Sequence, residues 1–599
     1  MIRLKRALCL LVWIALPACG DEGTAEPLTV DAGPDRIVAS CEPVRVEATT
    51  GGGSRSLDWT IDAPQPVVLR ARGDGVEFRA PSVVVPTTLT LRADVRAADG
   101  GMRSDVVRVE VQPQPKPAGL ADGMAWDCAP FLHGVASGDP RPDGVVLWTR
   151  LTPESTNESR SIHWQMALDP QLSHLVREGE VTTEADRDFT IKLEVGGLEP
   201  ATTYYFQFID SRGRTSPLGR TKTAPSGVVE HLRFAVASCS SIYSGYFNAY
   251  RRISERSDLD LVIHLGDYLY DFVDENEQVR VPDPYPTEPA TLEQWRERHA
   301  YYLADPDLRL ARAAHPWAMI PDNHDLEARA PGYNGGLQAF REWNPLRDEG
   351  ESNILYRKLE YGDLVDLILI DALLHRDIDT VPGTQAKSIL GNAQFDWLAS
   401  ELRQSEAAWR VIGNQRLLGT VRINPVFAQA IGGEPRDVFD TGAWDGYPED
   451  RSRLLGLLVD EHIDDNVVIS GDSHVSAAMD LVDRPLEAGA PSAGVEFLPT
   501  SISRGNFDET LLGLGFGFDQ MQQLLGNILA DTARRNPHHR YLELTMHGYG
   551  ILDIRPGKVI AHFLYSDILD RQDEEFLGKL LSVERGTNRW VRSTASSEP

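Results

Sequence analysis

Basic residues are in short supply in this 599-residue sequence, which has 59 Lys and Arg against 89 Asp and Glu and a formal net charge of −30. Proteins that bind nucleic acids present a basic stripe to the phosphates, so this balance argues against such a partner. Apolar residues make up 42% and charged residues 25% of the chain, which excludes wholesale disorder. At roughly 150 residues per domain, the length accommodates about three to four domains.

Long apolar runs and several common catalytic motifs are also missing. Beyond residue 18, no stretch reaches the roughly 18 uninterrupted apolar residues that a membrane-spanning helix needs. The sequence contains no HExxH, CxxC, GxSxG or Walker A pattern, so no such motif competes with another interpretation of the chemistry.

The first residues have the pattern of a secretory signal. Basic residues precede a short apolar run over Ala7–Leu16, and small residues follow it. The run Leu16-Pro17-Ala18-Cys19 resembles a bacterial lipobox, which implies lipidation of Cys19 and removal of residues 1–18. Gly20 stands where an inner-membrane retention signal usually has Asp, which favours an anchor at the outer membrane or cell surface. The alternative is an ordinary signal peptide that happens to contain a cysteine.

The cysteines are few enough to be assigned one by one. Of the five, Cys9 is lost with the signal and Cys19 would carry lipid, which leaves Cys41, Cys128 and Cys239. An exported chain lies in an oxidising compartment, so two of these are expected to pair. Cys41 and Cys128 flank the first folded segment, which favours a disulfide between them. Cys239 is then unpaired, and metal ligation is one reason for an unpaired cysteine in an exported protein.

The composition changes along the chain and divides it into segments. A polar tether at 19–28 precedes residues 29–115, whose short alternating strands predict a β-sandwich. The run Val30-Asp31-Ala32-Gly33-Pro34-Asp35 and the central Trp59 resemble PKD/Ig-like modules of exported bacterial proteins. For such a module, a partner at the cell surface is expected. A second β segment covers 130–225. From 230 to 599 apolar strands alternate with helical stretches, which is typical of an α/β fold with buried strands.

Polar side chains follow the apolar strands of the α/β segment. The strand ends carry Ser238-Cys239, Gly266-Asp267-Tyr268-Leu269-Tyr270, Asp322-Asn323-His324-Asp325, Asp371, Gly413-Asn414-Gln415 and Gly471-Asp472-Ser473-His474. Each run alone is more often a turn or a structural residue than a ligand. Because the carboxyl ends of strands meet at one crevice in such sheets, the runs together predict a metal site.

In this order the strand-end runs resemble those of the PhoD-type alkaline phosphatases, which belong to the calcineurin-like metallophosphoesterases. Further similarity lies in His133–Pro140, Val146–Arg150 and Trp444–Pro448, and the resemblance extends over roughly residues 130 to 560. It implies an α/β fold with a metallophosphatase β-sandwich core flanked by helices. Here two all-β sandwich domains would precede that core.

The resemblance also implies a ligand set and a reaction. The residues that would hold a ferric ion are Cys239, Asp267, Tyr270, Asp472 and His474. Asp267 would bridge to calcium, to which Asn323 also offers an oxygen, and another divalent metal is an alternative. A metal-activated hydroxide would then attack the phosphorus of a phosphomonoester or phosphodiester, best at alkaline pH. Asp267 and His324 would be the catalytic residues, with His324 stabilising the transition state or protonating the leaving oxygen.

Several positions depart from the family pattern. Family members usually carry Trp-Asp-Asp-His and then an Asn pair, where this chain has Pro321, Asn323 and Ala328-Arg329. These changes put the second-metal complement in doubt. After Asp371 the usual Thr-Arg is Ala372-Leu373, so a phosphate-contacting arginine is missing.

Other side chains are candidates to bind substrate in place of the missing arginine. Arg376 and Arg504 could substitute for it, and Asn414 at a strand end could also contact the ester. The departures leave a second hypothesis open, in which a decayed phosphatase fold serves as the scaffold of a non-catalytic surface-binding protein.

Overall fold

A computed structural model describes residues 27–592, with gaps at 98–99, 117, 153–159, 275–278, 283–286, 327–332, 349–353, 378–386, 426–436, 488 and 573. The predicted signal, Cys19, most of the tether and the Ala328-Arg329 pair lie outside the described residues. Over the part of the chain that is described, no helix is both long and apolar enough to cross a membrane.

The N-terminal module, residues 29–112, is built from strands alone. They are β1 (Thr29–Asp31), β2 (Arg36–Ala39), β3 (Pro43–Glu47), β4 (Thr49–Gly51), β5 (Ser54–Asp62), β6 (Arg70–Arg72), β7 (Gly75–Arg79), β8 (Thr87–Ala97) and β9 (Met102–Gln112). The sheets have the orders β2-β9-β8-β5 and β3-β7-β6, with β1 paired to β4. Val107, Val109 and Val111 of β9 are fully buried whereas Arg108 is exposed, so alternation along the strand fills the core.

A disulfide ties the N-terminal module to the segment that follows it. Cys41 and Cys128 are bonded, with their Cα atoms 5.4 Å apart. This is the pair that the position of the cysteines in the sequence favours. Cys239 is free and buried.

The second β segment divides between two sheets. Its strands are β10 (Val135–Arg141), β11 (Gly144–Arg150), β12 (Arg160–Ala167), β13 (Leu175–Thr183), β14 (Thr190–Gly196), β15 (Thr203–Ile209) and β16 (Gly219–Lys222). Strands β12, β13, β15 and β16 form a four-stranded sheet, but β10, β11 and β14 belong to a ten-stranded sheet of the catalytic domain. The segment 130–225 is thus continuous with the catalytic domain through shared backbone hydrogen bonds.

The catalytic domain contains the remaining strands and the helices. Its strands are β17 (Leu232–Ala237), β18 (Leu261–His264), β19 (Pro316–Met319), β20 (Arg357–Tyr361), β21 (Val365–Leu369), β22 (Trp409–Asn414), β23 (Asn466–Ser470), β24 (Ser476–Asp480), β25 (Val495–Leu498), β26 (His539–Glu543), β27 (Gly548–Arg555), β28 (Lys558–Tyr565), β29 (Phe576–Glu584) and β30 (Val591–Arg592). The helices are α1 (Asn248–Glu255), α2 (Leu292–Tyr302), α3 (Pro306–Ala314), α4 (Asn323–Leu326), α5 (Tyr333–Trp343), α6 (Gly391–Gln404), α7 (Pro448–Asp460), α8 (Phe507–Gly513) and α9 (Phe518–Arg535).

Two large sheets form the centre of this domain. One has the order β14-β11-β10-β19-β18-β17-β27-β28-β29-β30 and the other β20-β21-β22-β23-β25-β24-β26. Apolar residues of both sheets share one cluster, in which Phe234 and Ile263 of the first lie with Leu367, Val411 and Phe497 of the second. The mixed α/β architecture with a β-sandwich core agrees with the fold class predicted from the sequence.

The direction of the central strands determines where the polar strand ends lie. Strands β17, β18 and β19 are parallel to one another in the first sheet, and β21, β22 and β23 are parallel in the second. The predicted polar runs follow these strands. The ends of β17, β18, β19, β22 and β23 therefore bring their side chains to one edge of the sandwich.

Candidate metal centre

The backbone at the predicted ligands is strained. Cys239, Asp267, Asp472 and His474 have φ values of 57°, 51°, 65° and 53°, four of the thirteen non-glycine residues with positive φ in the described chain. Such a conformation costs on the order of 1–3 kcal/mol per residue and persists only where the surroundings impose it. Four cases at the ends of central strands mark this edge as a functional site.

A glycine lets two of these strand ends approach each other. Gly266 has a φ of +102°, and a Cβ built there would lie 2.5 Å from Cβ of Asp322. Only glycine accepts both the dihedral angle and the contact. Gly266 therefore allows Asp267, after β18, to lie beside Asp322, after β19.

Four donor side chains form what we call the thiol cluster: Cys239, Asp267, Tyr270 and His474. The Cys239 Sγ lies 3.9 Å from Asp267 Oδ2, and the Tyr270 hydroxyl lies 3.2 Å from the same oxygen. The hydroxyl is also 3.1 Å from His474 Nε2. Ligand atoms of Cys239, Asp267 and His474 all lie within 4.8 Å of one another, close enough to share one ion.

His474 presents a lone pair to this cluster. Its Nδ1 lies 3.0 Å from the carbonyl oxygen of Gly505. A carbonyl only accepts hydrogen bonds, so Nδ1 carries the proton and Nε2 faces the cluster without one. Burial lowers the pKa of His474 to about 3, which keeps the imidazole neutral. A neutral imidazole held through its other nitrogen is the form that binds metal ions.

The thiol cluster fits a metal ion because its anionic forms are costly without one. Burial and the neighbouring Asp267 carboxylate raise the pKa of Cys239 well above its ordinary value, and the same two causes raise that of Tyr270. Burial also raises the pKa of Asp267. A bound cation would remove this penalty, since a coordinating thiol loses its proton.

A second set of oxygens lies beside the first, around a residue that is not among the candidates chosen from the sequence. Arg416 donates from Nη2 to Asp322 Oδ1 at 2.6 Å and to Asn323 Oδ1 at 2.7 Å, and from Nη1 to Asp472 Oδ1 at 2.7 Å. We call these four residues the guanidinium cluster. Asn323 and Asp472, predicted as metal ligands, thus contact a cation of the chain itself. The only sequence signal for Arg416 is its position directly after the strand end Gly413-Asn414-Gln415.

His324 lies over the thiol cluster. Its ring stacks on that of Tyr270 with the centroids 4.4 Å apart, and its Nδ1 lies 2.7 Å from Asp271 Oδ1. Its backbone N–H donates to Asp267 Oδ1 at 3.2 Å. Burial opposes protonation of the ring, but Asp267 and Asp271 outweigh it and raise the pKa of His324 to about 9. These two carboxylates favour the protonated, hydrogen-bond-donating form of the predicted catalytic histidine.

The three predicted substrate-binding residues are placed differently. Asn414 is fully buried and its amide donates to the backbone carbonyl of Arg416. It therefore stabilises the backbone of Arg416. Arg376 donates to the Gly442 carbonyl oxygen at 3.4 Å. Arg504 is ion-paired with Asp274 at 2.8 Å, and its guanidinium lies 5.4 Å from the ring centroid of Tyr270. Arg504 thus contacts the thiol cluster, and Arg376 lies near enough to Asp322 to oppose the rise in the pKa of that carboxyl.

The paired sheets and the donors at their strand ends define a metallophosphatase. Residues 234–329 and 330–563 match the family described as PhoD-like phosphatase, and residues 118–225 match the N-terminal domain of PhoD-like phosphatases. The chain therefore belongs to the PhoD-like phosphatase family. The N-terminal module at 29–112 lies outside the matched residues.

Individual relatives agree with this assignment. Alkaline phosphatase D of Bacillus subtilis (strain 168) is 32% identical over 422 residues, which cover 63% of this chain and 70% of the relative. A solved structure described as "Structure of PhoD" superposes with a TM-score of 0.67 at 28% identity and covers 78% of this chain and 93% of its own. The chain is a phosphoesterase hydrolase whose family implies metal cofactors, and the hypothesis of a non-catalytic scaffold is set aside.

Proposed function

We propose that this phosphoesterase is metal-dependent and that the thiol cluster holds its essential ion, a ferric ion. The observation that carries the proposal is the convergence of a buried thiol, phenol and carboxyl with a half-buried neutral imidazole, each within hydrogen-bonding or ligand distance of a neighbour. Anionic sulfur and oxygen donors favour an ion of high charge. Such an ion, when bound, lowers the pKa of water and neutralises charge on the phosphoryl oxygens.

The chain's own residues would divide the remaining work. Cys239, Asp267, Tyr270 and His474 fix the position of the ion. The His324 side chain, protonated and anchored through Nδ1 to Asp271, leaves Nε2–H to donate to the ester. Such a donor can stabilise the developing charge or give its proton to the leaving oxygen. Both phosphomonoesters and phosphodiesters could react with this ion and this proton donor. A comparison of the two substrate classes is therefore needed to identify the natural ester.

A metal-exchange experiment tests the proposal. The full chain is purified, its metals are measured by elemental analysis, and hydrolysis of p-nitrophenyl phosphate and bis(p-nitrophenyl) phosphate is followed across pH. We expect iron and turnover together, loss of both after reduction and chelation, and recovery of both with iron. Iron-loaded protein that hydrolyses neither ester at any pH would contradict the proposal.

A matched variant tests the identity of the ion. Phenolate and thiolate bound to ferric iron give charge-transfer absorption in the visible range, whereas zinc, magnesium and calcium do not. Tyr270→Phe should shift or remove the phenolate contribution, whereas Tyr301→Phe, a tyrosine of α2 away from the cluster, should leave the spectrum unchanged. An unchanged spectrum in Tyr270→Phe would exclude Tyr270 as a ligand.

Export and anchoring are the second part of the proposal. The basic start, the apolar run over Ala7–Leu16 and the Cys19 lipobox support an exported lipoprotein at the outer membrane or cell surface. Cys19→Ser should abolish labelling with a fatty-acid analogue and move the protein from the membrane fraction to the soluble fraction. Labelling that persists in Cys19→Ser would contradict the anchor. The expected cell-surface partner of the N-terminal module stays a prediction.

A further inference from the structure

The guanidinium cluster occupies a position where a second ion would be expected to bind. Oxygens of Asp267, Asp322 and Asp472 lie within 4.8 Å of one another, which is close enough to hold a metal ion. Arg416 is bonded to two of these carboxylates and to the amide oxygen of Asn323. Its side chain is only 8% exposed. A cation that is part of the polypeptide is therefore bonded to two of these three carboxylates.

The arginine is held in place by its neighbours along the chain. The Gln415 side chain donates to the Pro321 carbonyl oxygen at 2.9 Å and accepts from the Ala372 N–H at 2.9 Å. The Gln415 carbonyl oxygen accepts from the Gly471 N–H at 3.1 Å. Three strand ends thus fix the backbone beside Arg416, and its guanidinium is directed at its acceptors by this frame.

Because of its permanent charge, the Arg416 side chain excludes a metal ion from the position that it occupies. A guanidinium stays protonated at any pH that a folded protein meets, so it cannot give up its charge to admit another cation. Calcium needs about six to eight oxygen ligands, and here one oxygen each of Asp322, Asn323 and Asp472 is already bonded to Arg416. The carboxylate oxygens of this cluster that Arg416 does not bond are Oδ2 of Asp322 and Oδ2 of Asp472, and two oxygens fall short of what calcium requires from a protein site.

We propose that Arg416 replaces the second metal ion, so that this phosphatase works with one ion in the thiol cluster and does not use calcium. The inference rests on the proposed metal dependence and narrows it to a mononuclear centre. The calcium expected from the family resemblance, with Asp267 and Asn323 as ligands, disagrees with the arrangement of the side chains.

Metal counting on the wild-type chain tests the inference directly. The purified protein is equilibrated with calcium, desalted and analysed, and calcium binding is titrated by calorimetry. We expect one iron per chain, no retained calcium, no binding heat and a rate that EGTA does not change. Stoichiometric calcium with an EGTA-sensitive rate would overturn the inference while leaving the metal-dependent function intact. A chain with no metal and no turnover would overturn both.

Two substitutions sharpen the test. Arg416→Met removes the cation and leaves its acidic partners, so this variant should acquire calcium binding that the wild type lacks. Arg416→Lys keeps a positive charge and should not acquire it, and Arg484→Met at an exposed site is the matched control. If Arg416→Met does not fold, the wild-type stoichiometry still decides the question. A folded Arg416→Met that binds no calcium would contradict the view that the arginine fills an ion site.

Discussion

The thiol cluster and the guanidinium cluster both contain aspartates that follow central strands, but the negative charge of these aspartates is compensated differently in the two clusters. In the thiol cluster, the carboxylates of Asp267, Asp472 and Asp322 add to burial in raising the pKa of the Cys239 thiol. In the guanidinium cluster, burial raises the pKa of Asp322 to about 6, and Arg416 works against this rise. In the guanidinium cluster an arginine of the chain is bonded directly to the acids, whereas in the thiol cluster the donor atoms contact one another and fit the proposed ion.

This difference indicates how a family fold can change its metal requirement without losing its acids. Asp472 and Asn323 look like ligands in the sequence, but their oxygens are bonded to Arg416. The presence of ligand-type residues is thus not sufficient to predict an ion. Whether such residues bind an ion also depends on whether a cationic side chain of the same chain is bonded to their oxygens.

The largest expected effect separates the two halves by their metal content. Cys239→Ser should lose the ion, because a neutral hydroxyl replaces a thiolate. Losing several kcal/mol of charge stabilisation lowers kcat on the order of 10³-fold. Asp322→Asn should keep the iron, since Arg416 and not the ion holds the Asp322 oxygen. Elemental analysis and steady-state rates measure both, and iron loss in Asp322→Asn would break the proposed division.

A second substitution tests the chemistry above the thiol cluster without replacing a proposed metal ligand. His324→Gln removes the protonated ring that stacks on Tyr270 and should lower kcat by about 10²–10⁴-fold, the usual contribution of a general acid. The iron content should not change. His163→Gln, in β12 and away from the site, is the control. If His324→Gln loses iron in proportion to activity, the histidine supports the ion and not the ester.

Much of the site is predictable because its ligand candidates directly follow apolar strands in the sequence. Each apolar strand and the polar run after it are contiguous in sequence, so Asp267 and His474 can be chosen from the amino-acid order alone. Arg416 cannot, since its acceptors Asp322 and Asp472 lie 94 and 56 positions away and an arginine after a strand has no specific signature. In the fold, long-range strand pairing escapes prediction for the same reason.

The second β segment illustrates that limit. Alternating residues predict strands over 130–225, and strands are present. Their partners depend on pairings that local alternation does not encode, such as Ser137 of β10 with Pro316 of β19. The segment therefore looks like a separate sandwich in the sequence, although part of it extends the catalytic sheet.

The smallest expected effect concerns Arg504. This arginine lies beside the thiol cluster, whereas Arg416 is itself a member of the guanidinium cluster. Arg504 is paired with Asp274 and lies near the rings of Tyr270 and Phe272, so it can neither bind the ion nor replace it. Contacts of this kind are worth about 0.5–2 kcal/mol, which corresponds to roughly a 2- to 30-fold change. Since the sequence predicts that Arg504 also binds the ester, Arg504→Lys should raise KM within that range and leave kcat, iron content and the visible spectrum unchanged. Arg453→Lys, on the surface of α7, should change none of these. A fall in kcat with constant KM would instead make Arg504 a positioning residue for Tyr270. Both arginines would then act within the site, which would contradict the distinction drawn here between Arg416 and Arg504.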